Sequence, residues 1–169
     1  MAEARAQLAQ FKTVIATAEA PLLGPQRRPG TSDEAELNRK LTDYFSSVKT
    51  PAAIQPLLRS AALLWHDHLD ASHTLSQDIG TRDGSWLHGI MHRREPDYGN
   101  AKYWFHRVGQ HAAFPQLAER TRRKNWDPFA FIDECETAEQ GKDAAVVSRL
   151  REFQAAEFEV LMEHILQNA

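Results

Sequence analysis

The sequence has one cysteine, no long apolar run and almost no charge imbalance, and each scarcity excludes a class of protein. Cys135 is the only cysteine among 169 residues, so no intramolecular disulfide can form and a reducing cytoplasm is expected. No stretch approaches the roughly 18 apolar residues of a membrane span, and the N-terminus lacks the apolar segment of a signal peptide. Basic residues number 20 and acidic residues 23, which is too even a balance to bind nucleic acid or an anionic membrane by charge alone. We therefore expect a soluble, cytoplasmic protein that binds neither nucleic acid nor membrane.

Strand signals are also scarce. No segment alternates polar and apolar residues between hairpin turns, as β-strands do. Apolar residues instead recur every three or four positions, for example at Leu8, Phe11 and Ile15, and this spacing is typical of amphipathic helices. The length fits one domain. The sequence predicts a single all-α domain over 1–169, with N-terminal helices in 1–50, central hairpins in 57–108 and C-terminal helices in 128–167.

Capping residues and prolines predict where the helices begin. Thr31 and Glu34 have the spacing of a capping box, Asp67 is in position to cap the helix after it, and Asp127 before Pro128 is typical of a helix start. These signals and the periodicity predict helices around 8–18 and 31–48, over 56–65, 67–79, 85–94 and 97–108, from Pro128 onward, and over 143–167.

Histidine is concentrated in the middle of the chain, where HGIMHRREPDYGNAKYWFHRVGQH occupies residues 88–111. Seven of the eight histidines lie between residues 66 and 111. On a helix that turns by about 100° per residue, His88, His92 and Glu95 share one stripe. Residues Ala101, Trp104, Phe105 and Val108 form the apolar stripe of the next helix. The histidine stripe is the strongest candidate for a functional site.

Imidazole titrates near neutrality, so His88 and His92 are the candidate catalytic residues, together with Glu95. The candidate ligand-binding residues are the polar side chains of the two central hairpins: His66, Asp70, His73, His88, His92, Arg93, Arg94, Asp97, Asn100, Tyr103 and Arg107. In this interpretation the arginines bind the negatively charged or hydroxyl groups of a small anionic or polyhydroxylated ligand, and an aromatic ring stacks on the ligand. Such a ligand is the predicted partner, and no cofactor is expected.

Three other interpretations are open. In the first, the same polar groups have a structural role only, because they form hydrogen bonds with buried carbonyl and amide groups at the helix ends. A metal-dependent hydrolase or oxygenase would use His88 and His92, completed by Glu95 or by a histidine of the preceding hairpin. However, Arg93 and Arg94 place two positive charges beside His92, so no resident metal is expected. A repeat-like protein-interaction module without catalysis would expose an apolar or aromatic groove.

The two central hairpins repeat weakly at a spacing of 30 residues, at which Asp67 aligns with Asp97 and Ala71 with Ala101. This period resembles the helical hairpins of Sel1-like and tetratricopeptide units, although the glycine-rich turn of the Sel1 type is missing. The block HGIMHRREPDYGNAKYWFHRVG, with WHDHLDASHTLSQDI before it and WDPFAFIDECE after it, resembles a family of hypothetical, all-helical bacterial proteins with some fungal relatives. The resemblance spans residues 57–165 and implies no reaction, because the family has no assigned activity.

Overall fold

The computed structural model describes residues 2–169, with side chains described from Arg5 onward. Within that range the chain forms α-helices and no strand, which confirms the all-α fold. The helices are α1 (Ala2–Val14), α2 (Glu34–Ser47), α3 (Gln55–Trp65), α4 (Leu69–Ser76), α5 (Arg82–Arg94), α6 (Tyr98–Val108), α7 (Phe114–Arg120), α8 (Pro128–Gly141) and α9 (Ala144–Gln167). Over residues 2–169, none of them has the length and apolar character needed to cross a membrane.

Aspartate side chains begin several helices by accepting hydrogen bonds from N–H groups of the first turn. Asp97 caps α6, Asp127 caps α8 and Asp143 caps α9. The predicted starts of these three helices are therefore confirmed within one residue. In α8, Pro128 occupies the first helical position, where its missing N–H is not needed.

Two predicted caps are wrong. The cap of α2 is Asp33, which accepts from the Glu36 N–H at 2.8 Å, and the Thr31 capping box does not form. Asp67 does not cap α4, which begins after His68 without a side-chain cap. Asp67 instead adopts a φ of 66° and is buried, and its carboxylate binds Arg28 and Arg94.

One helix and several helix ends also differ from the sequence prediction. Helix α4 ends at Ser76 and not at residue 79, and α5 begins at Arg82 and not at residue 85. Helix α7 was not predicted, because its seven residues are too few to display a repeated apolar stripe. Helix α1 ends at Val14, earlier than the predicted end at residue 18. Ile15, beyond that end, is still buried, so the apolar stripe continues into the loop although the helix does not.

Two helices run through the core. Helix α9 packs against α1, α3, α7 and α8, and it buries Phe158, Leu161 and Ile165. Helix α5 packs against α3, α4 and α6, and every residue over 84–94 is buried. The polar side chains of α5 therefore lie in the protein interior, where each must find a partner.

The central helices form two hairpins, α3 with α4 and α5 with α6, and α4 packs against α5. The α5–α6 hairpin is tight, because a Cβ atom at Gly89 would lie 2.7 Å from Phe105 Cε2. Glycine is thus required for the close approach of these helices. The side-by-side packing of the hairpins brings their polar side chains together.

Candidate functional site

Three histidines of the two hairpins converge where α4 packs against α5. His88 and His92 lie one turn apart on α5, and His73 lies opposite them on α4. One ligand atom of each histidine lies within 4.8 Å of those of the other two, and His88 Nε2 is 3.0 Å from His92 Nε2. We refer to His73, His88 and His92 as the central histidine cluster.

Polar groups of the α5–α6 turn hold His92 in place. Its Nδ1 lies 3.2 Å from Glu95 Oε2 and 4.0 Å from Asp97 Oδ2, and Asn100 Nδ2 lies 3.2 Å from Nε2. An ionised carboxylate accepts hydrogen bonds and cannot donate them, so Nδ1 of His92 carries the proton that is donated to Glu95. In the neutral ring, Nε2 is then an unprotonated nitrogen next to His88.

Trp104 covers one face of His88. The two rings stack with their centroids 3.7 Å apart and their planes 15° apart, and the guanidinium carbon of Arg107 lies 5.2 Å from the Trp104 ring centroid. The prediction that Trp104 belongs to the core stripe is wrong, because it is only partly buried whereas Phe105 is fully buried. Its neighbour Tyr103 is 54% exposed. Trp104 therefore shields a polar cluster.

The imidazoles of His88 and His92 are neutral at pH 7. Burial, with smaller contributions from His92, His73 and Arg107, lowers the pKa of His88 to about 3. Burial also lowers the pKa of His92, although Glu95 opposes the effect. His88 Nδ1 is buried and has no hydrogen-bond partner among the described residues, which is uncommon in proteins. Neutral imidazole is the form that binds metal ions.

Arg93 and Arg94 are engaged in buried ion pairs elsewhere. Arg93 Nη2 donates to Glu157 Oε2 at 2.5 Å, and Arg94 Nη2 donates to Asp67 Oδ1 at 2.7 Å. The other oxygen of Asp67 accepts from Arg28 Nε at 2.8 Å. Because their guanidinium groups are bound inside the protein, we revise the prediction that Arg93 and Arg94 bind an anionic ligand. Glu157 compensates the charge of Arg93, whereas Arg94 shares the one carboxylate of Asp67 with Arg28. These pairs weaken the electrostatic argument against a metal ion beside His92.

Of the other predicted site residues, some are buried and support the fold, and others are exposed on the surface. His66 is buried, and its Nδ1 accepts from the Ser32 N–H at 3.0 Å, so it links two loops and lies outside the cluster. Asp70 is exposed one turn before His73. Asp70 and Glu95 line a cleft of about 390 Å³ at the start of α4. The other charged residues that line this cleft are Arg27, Glu34 and Asp67.

A second polar cluster, formed by Asp83, His111 and His164, was not predicted. Their ligand atoms also lie within 4.8 Å of one another. His111 Nδ1 accepts from the Ala113 N–H at 3.2 Å, so the neutral ring carries its proton on Nε2, which donates to Asp83 Oδ1 at 2.9 Å. Through these hydrogen bonds the cluster links α5, the α6–α7 loop and α9. Its members are far apart in the chain, and no local spacing indicates it.

No protein-family model, curated protein or solved structure matches the chain. The resemblances of residues 57–165 to a bacterial family and of the hairpins to Sel1-like units therefore stay predictions.

Proposed function

We propose that the protein binds one divalent transition-metal ion at the central histidine cluster and uses it for a hydrolytic reaction. The observation that carries this proposal is the convergence of three imidazoles whose ligand atoms lie within 4.8 Å of one another. A tetrahedral zinc ion with Zn–N distances near 2.0–2.1 Å separates its nitrogen ligands by about 3.3 Å. The 3.0 Å between His88 Nε2 and His92 Nε2 is close to this value, and a ligand nitrogen of His73 lies within 4.8 Å of those of the other two.

The position of Glu95 supports a metal site. Histidines that bind metal ions almost always donate their other ring N–H to a carboxylate, a carbonyl or water, which fixes the ring orientation. His92 has this relation to Glu95, through Nδ1 at 3.2 Å. The geometry therefore favours His73 as the third ligand and Glu95 as the group that orients His92.

Three histidine ligands favour hydrolysis over oxygenation. Non-haem iron oxygenases use two histidines and one carboxylate, whereas a catalytic zinc ion has three protein ligands and a water molecule. Such an ion lowers the pKa of its water to about 7 and so supplies a nucleophile at neutral pH. An ion held by His73, His88 and His92 would activate a water molecule whose oxygen forms a bond to the carbonyl or phosphoryl centre while the bond to the leaving group breaks. The proton that the water loses would be taken up by the leaving group. No oxidant or reductant is consumed.

A protein-interaction module has less support. Such a module needs an exposed apolar or aromatic surface, and Tyr103 is the only large hydrophobic side chain that is exposed in the described part of the chain.

Metal loading tests the proposal. Purified protein is incubated with Zn²⁺ or Co²⁺, freed of excess ion by gel filtration and analysed for metal content. We expect about one ion per chain, an increase in Tm because the ion binds only the folded state, and the strong visible absorption of tetrahedral Co²⁺. His73→Ala, in which a partly exposed side chain is removed, and His88→Gln should abolish these effects. The matched control is His164→Ala in the second cluster, which should retain the ion.

Two results would overturn the metal site: no ion retained by the parent protein, or loss of the ion in His164→Ala but not in His73→Ala. The hydrolytic assignment has its own test, the hydrolysis of 4-nitrophenyl acetate by the zinc-loaded protein. We expect a rate above that of His73→Ala at the same zinc concentration, and equal rates would contradict the assignment.

A further inference from the structure

We infer that the side-chain amide of Asn100 donates a hydrogen bond to the oxygen atom, of water or of substrate, that binds the ion at the central histidine cluster. This inference rests on the proposed metal centre and adds a functional residue that is not one of its ligands. It is based on the position of the Asn100 amide nitrogen, Nδ2, which lies 3.2 Å from His92 Nε2 and 3.4 Å from His92 Nδ1.

Helix α6 fixes the place of Asn100. The residue lies in the first turn of α6, where its backbone N–H donates to the Asp97 carboxylate at 3.2 Å. Helix α6 packs against α5, which carries His88 and His92. Both histidines are buried, whereas Asn100 is partly exposed. Asn100 is therefore a solvent-accessible residue in contact with a buried histidine of the cluster.

Two hydrogen-bond donors compete for one lone pair on His92. Its ring carries the proton on Nδ1, which faces Glu95, so Nε2 has a single lone pair with which to accept a hydrogen bond. His88 Nε2 at 3.0 Å and Asn100 Nδ2 at 3.2 Å both approach this nitrogen. An ion that binds His92 Nε2 takes the lone pair, and the Asn100 amide then needs another acceptor.

An oxygen bound to the ion lies within reach of that amide. A nitrogen ligand lies about 2.0–2.1 Å from zinc, so Asn100 Nδ2 would lie no more than about 5.3 Å from an ion on His92 Nε2. An oxygen about 2.1 Å from the ion and a hydrogen bond of about 3.0 Å cover this span. The amide can therefore exchange its contact with the ring nitrogen for one with the bound oxygen.

The charges around the ion make such a donor effective. The carboxylates of Glu95 and Asp97 lie 3.2 and 4.0 Å from His92 Nδ1, and their negative charges offset those of a divalent ion. The ion then stabilises negative charge on a bound oxygen less than it would without these carboxylates. A fixed N–H donor supplies further stabilisation where the charge develops, and Asn100 does so without bringing a charge of its own.

Two probes that bind zinc through different atoms test the inference in Asn100→Ala. The oxygens of acetohydroxamate accept hydrogen bonds, whereas the sulfur of ethanethiol accepts them only weakly. Isothermal titration calorimetry of the zinc-loaded proteins gives both affinities. We expect Asn100→Ala to bind acetohydroxamate about tenfold more weakly, the effect of one hydrogen bond to a charged group, and ethanethiol within about twofold of the parent. The matched control is Asn125→Ala, in the loop after α7, where Asn125 is exposed; it should bind both probes as the parent does.

Hydrolysis of 4-nitrophenyl acetate gives a second measurement. Asn100→Ala should lower kcat about tenfold and change KM little, because the hydrogen bond strengthens as negative charge develops on the oxygen. The loss should be smaller than the roughly 10²- to 10³-fold loss caused by removal of an oxyanion donor from a serine protease, because the ion keeps most of the stabilisation. The affinity for zinc, measured by competition with a chelator, should not change, because Asn100 is not a ligand.

The outcomes distinguish the two proposals. If Asn100→Ala retains zinc and binds acetohydroxamate as tightly as the parent does, the inference is wrong and the metal centre stands. If the variant loses affinity for zinc and for both probes alike, Asn100 only holds His92 in place, and the inference is again wrong. If the parent retains no zinc, the proposed function fails and the inference fails with it. If the parent binds zinc without hydrolysing the ester, the hydrolytic assignment fails, and the two probes still decide whether Asn100 donates to an oxygen on the ion.

Discussion

Replacement of Arg93 by methionine is expected to destabilise the fold by about 3–5 kcal/mol, the range for breaking a buried ion pair. The side chains of Arg93 and Glu157 are 1% and 0% exposed, and they form two hydrogen bonds of 2.5 and 3.2 Å. The substitution leaves the buried Glu157 carboxylate with the Trp86 indole N–H, at 2.9 Å, as its remaining strong donor. A charge without a counterion in the interior is the main source of the loss.

The double substitution Arg93→Met, Glu157→Met is expected to cost less than either single one. Both charges are then removed, and only neutral groups such as the Trp86 indole N–H lose a partner, for about 1–3 kcal/mol. The double-mutant cycle should therefore give a coupling free energy of several kcal/mol between the two positions.

Urea unfolding at pH 7 measures these free energies, with Arg149→Met as the control. Arg149 is exposed, so its replacement should change the free energy of unfolding by less than about 0.5 kcal/mol. A loss under about 1 kcal/mol for Arg93→Met, or a double variant whose loss equals the sum of the singles, would refute the structural role of this pair. Arg93 would then again be a candidate for ligand binding.

Three further predictions concern packing and reactivity. Gly89→Ala should lower the free energy of unfolding by about 1–3 kcal/mol, because its Cβ would lie 2.7 Å from the Phe105 ring of α6. Gly99→Ala, with open space around it, should leave the stability unchanged or raise it. Thermal unfolding of the two variants measures the difference. The same assay should show that Trp86→Ala lowers the free energy of unfolding by about 3–5 kcal/mol, because Trp86 is fully buried in the core. Trp104→Ala should lower it clearly less, because Trp104 is only partly buried. Burial raises the pKa of Cys135 to about 12, so Ellman's reagent should react with this thiol in denaturant and not in the folded protein.

Helices could be predicted from the sequence where their determinants are local. Asp127 and Asp143 begin their helices as expected, because a cap bonds to N–H groups two or three residues away. Asp67 has the same local setting, but its partners Arg28 and Arg94 are 39 and 27 positions away. Asp67 therefore forms ion pairs with distant segments and does not cap α4. The spacing of residues along the sequence does not predict such pairs.

The histidines of the candidate site could be predicted from the sequence, but the directions of the neighbouring arginines could not. His88 and His92 follow from the helical period, and the approach of the preceding hairpin follows from the expected packing of two hairpins. The direction in which a long side chain points cannot be read from the helical period. Arg93 and Arg94 are the next residues after His92, yet each helical step turns by about 100°, and their partners lie on α9 and before α4.

Helix α4 gives the proposed site a kinetic property. It has eight residues and no side-chain cap at its start, and a helix of this length is marginal by itself. Local opening of α4 should therefore occur while α5 stays folded in the core. Each such opening carries His73 away from His88 and His92, so chelator should remove a bound ion faster than the whole protein unfolds, and at the rate at which the amides of α4 exchange with deuterium.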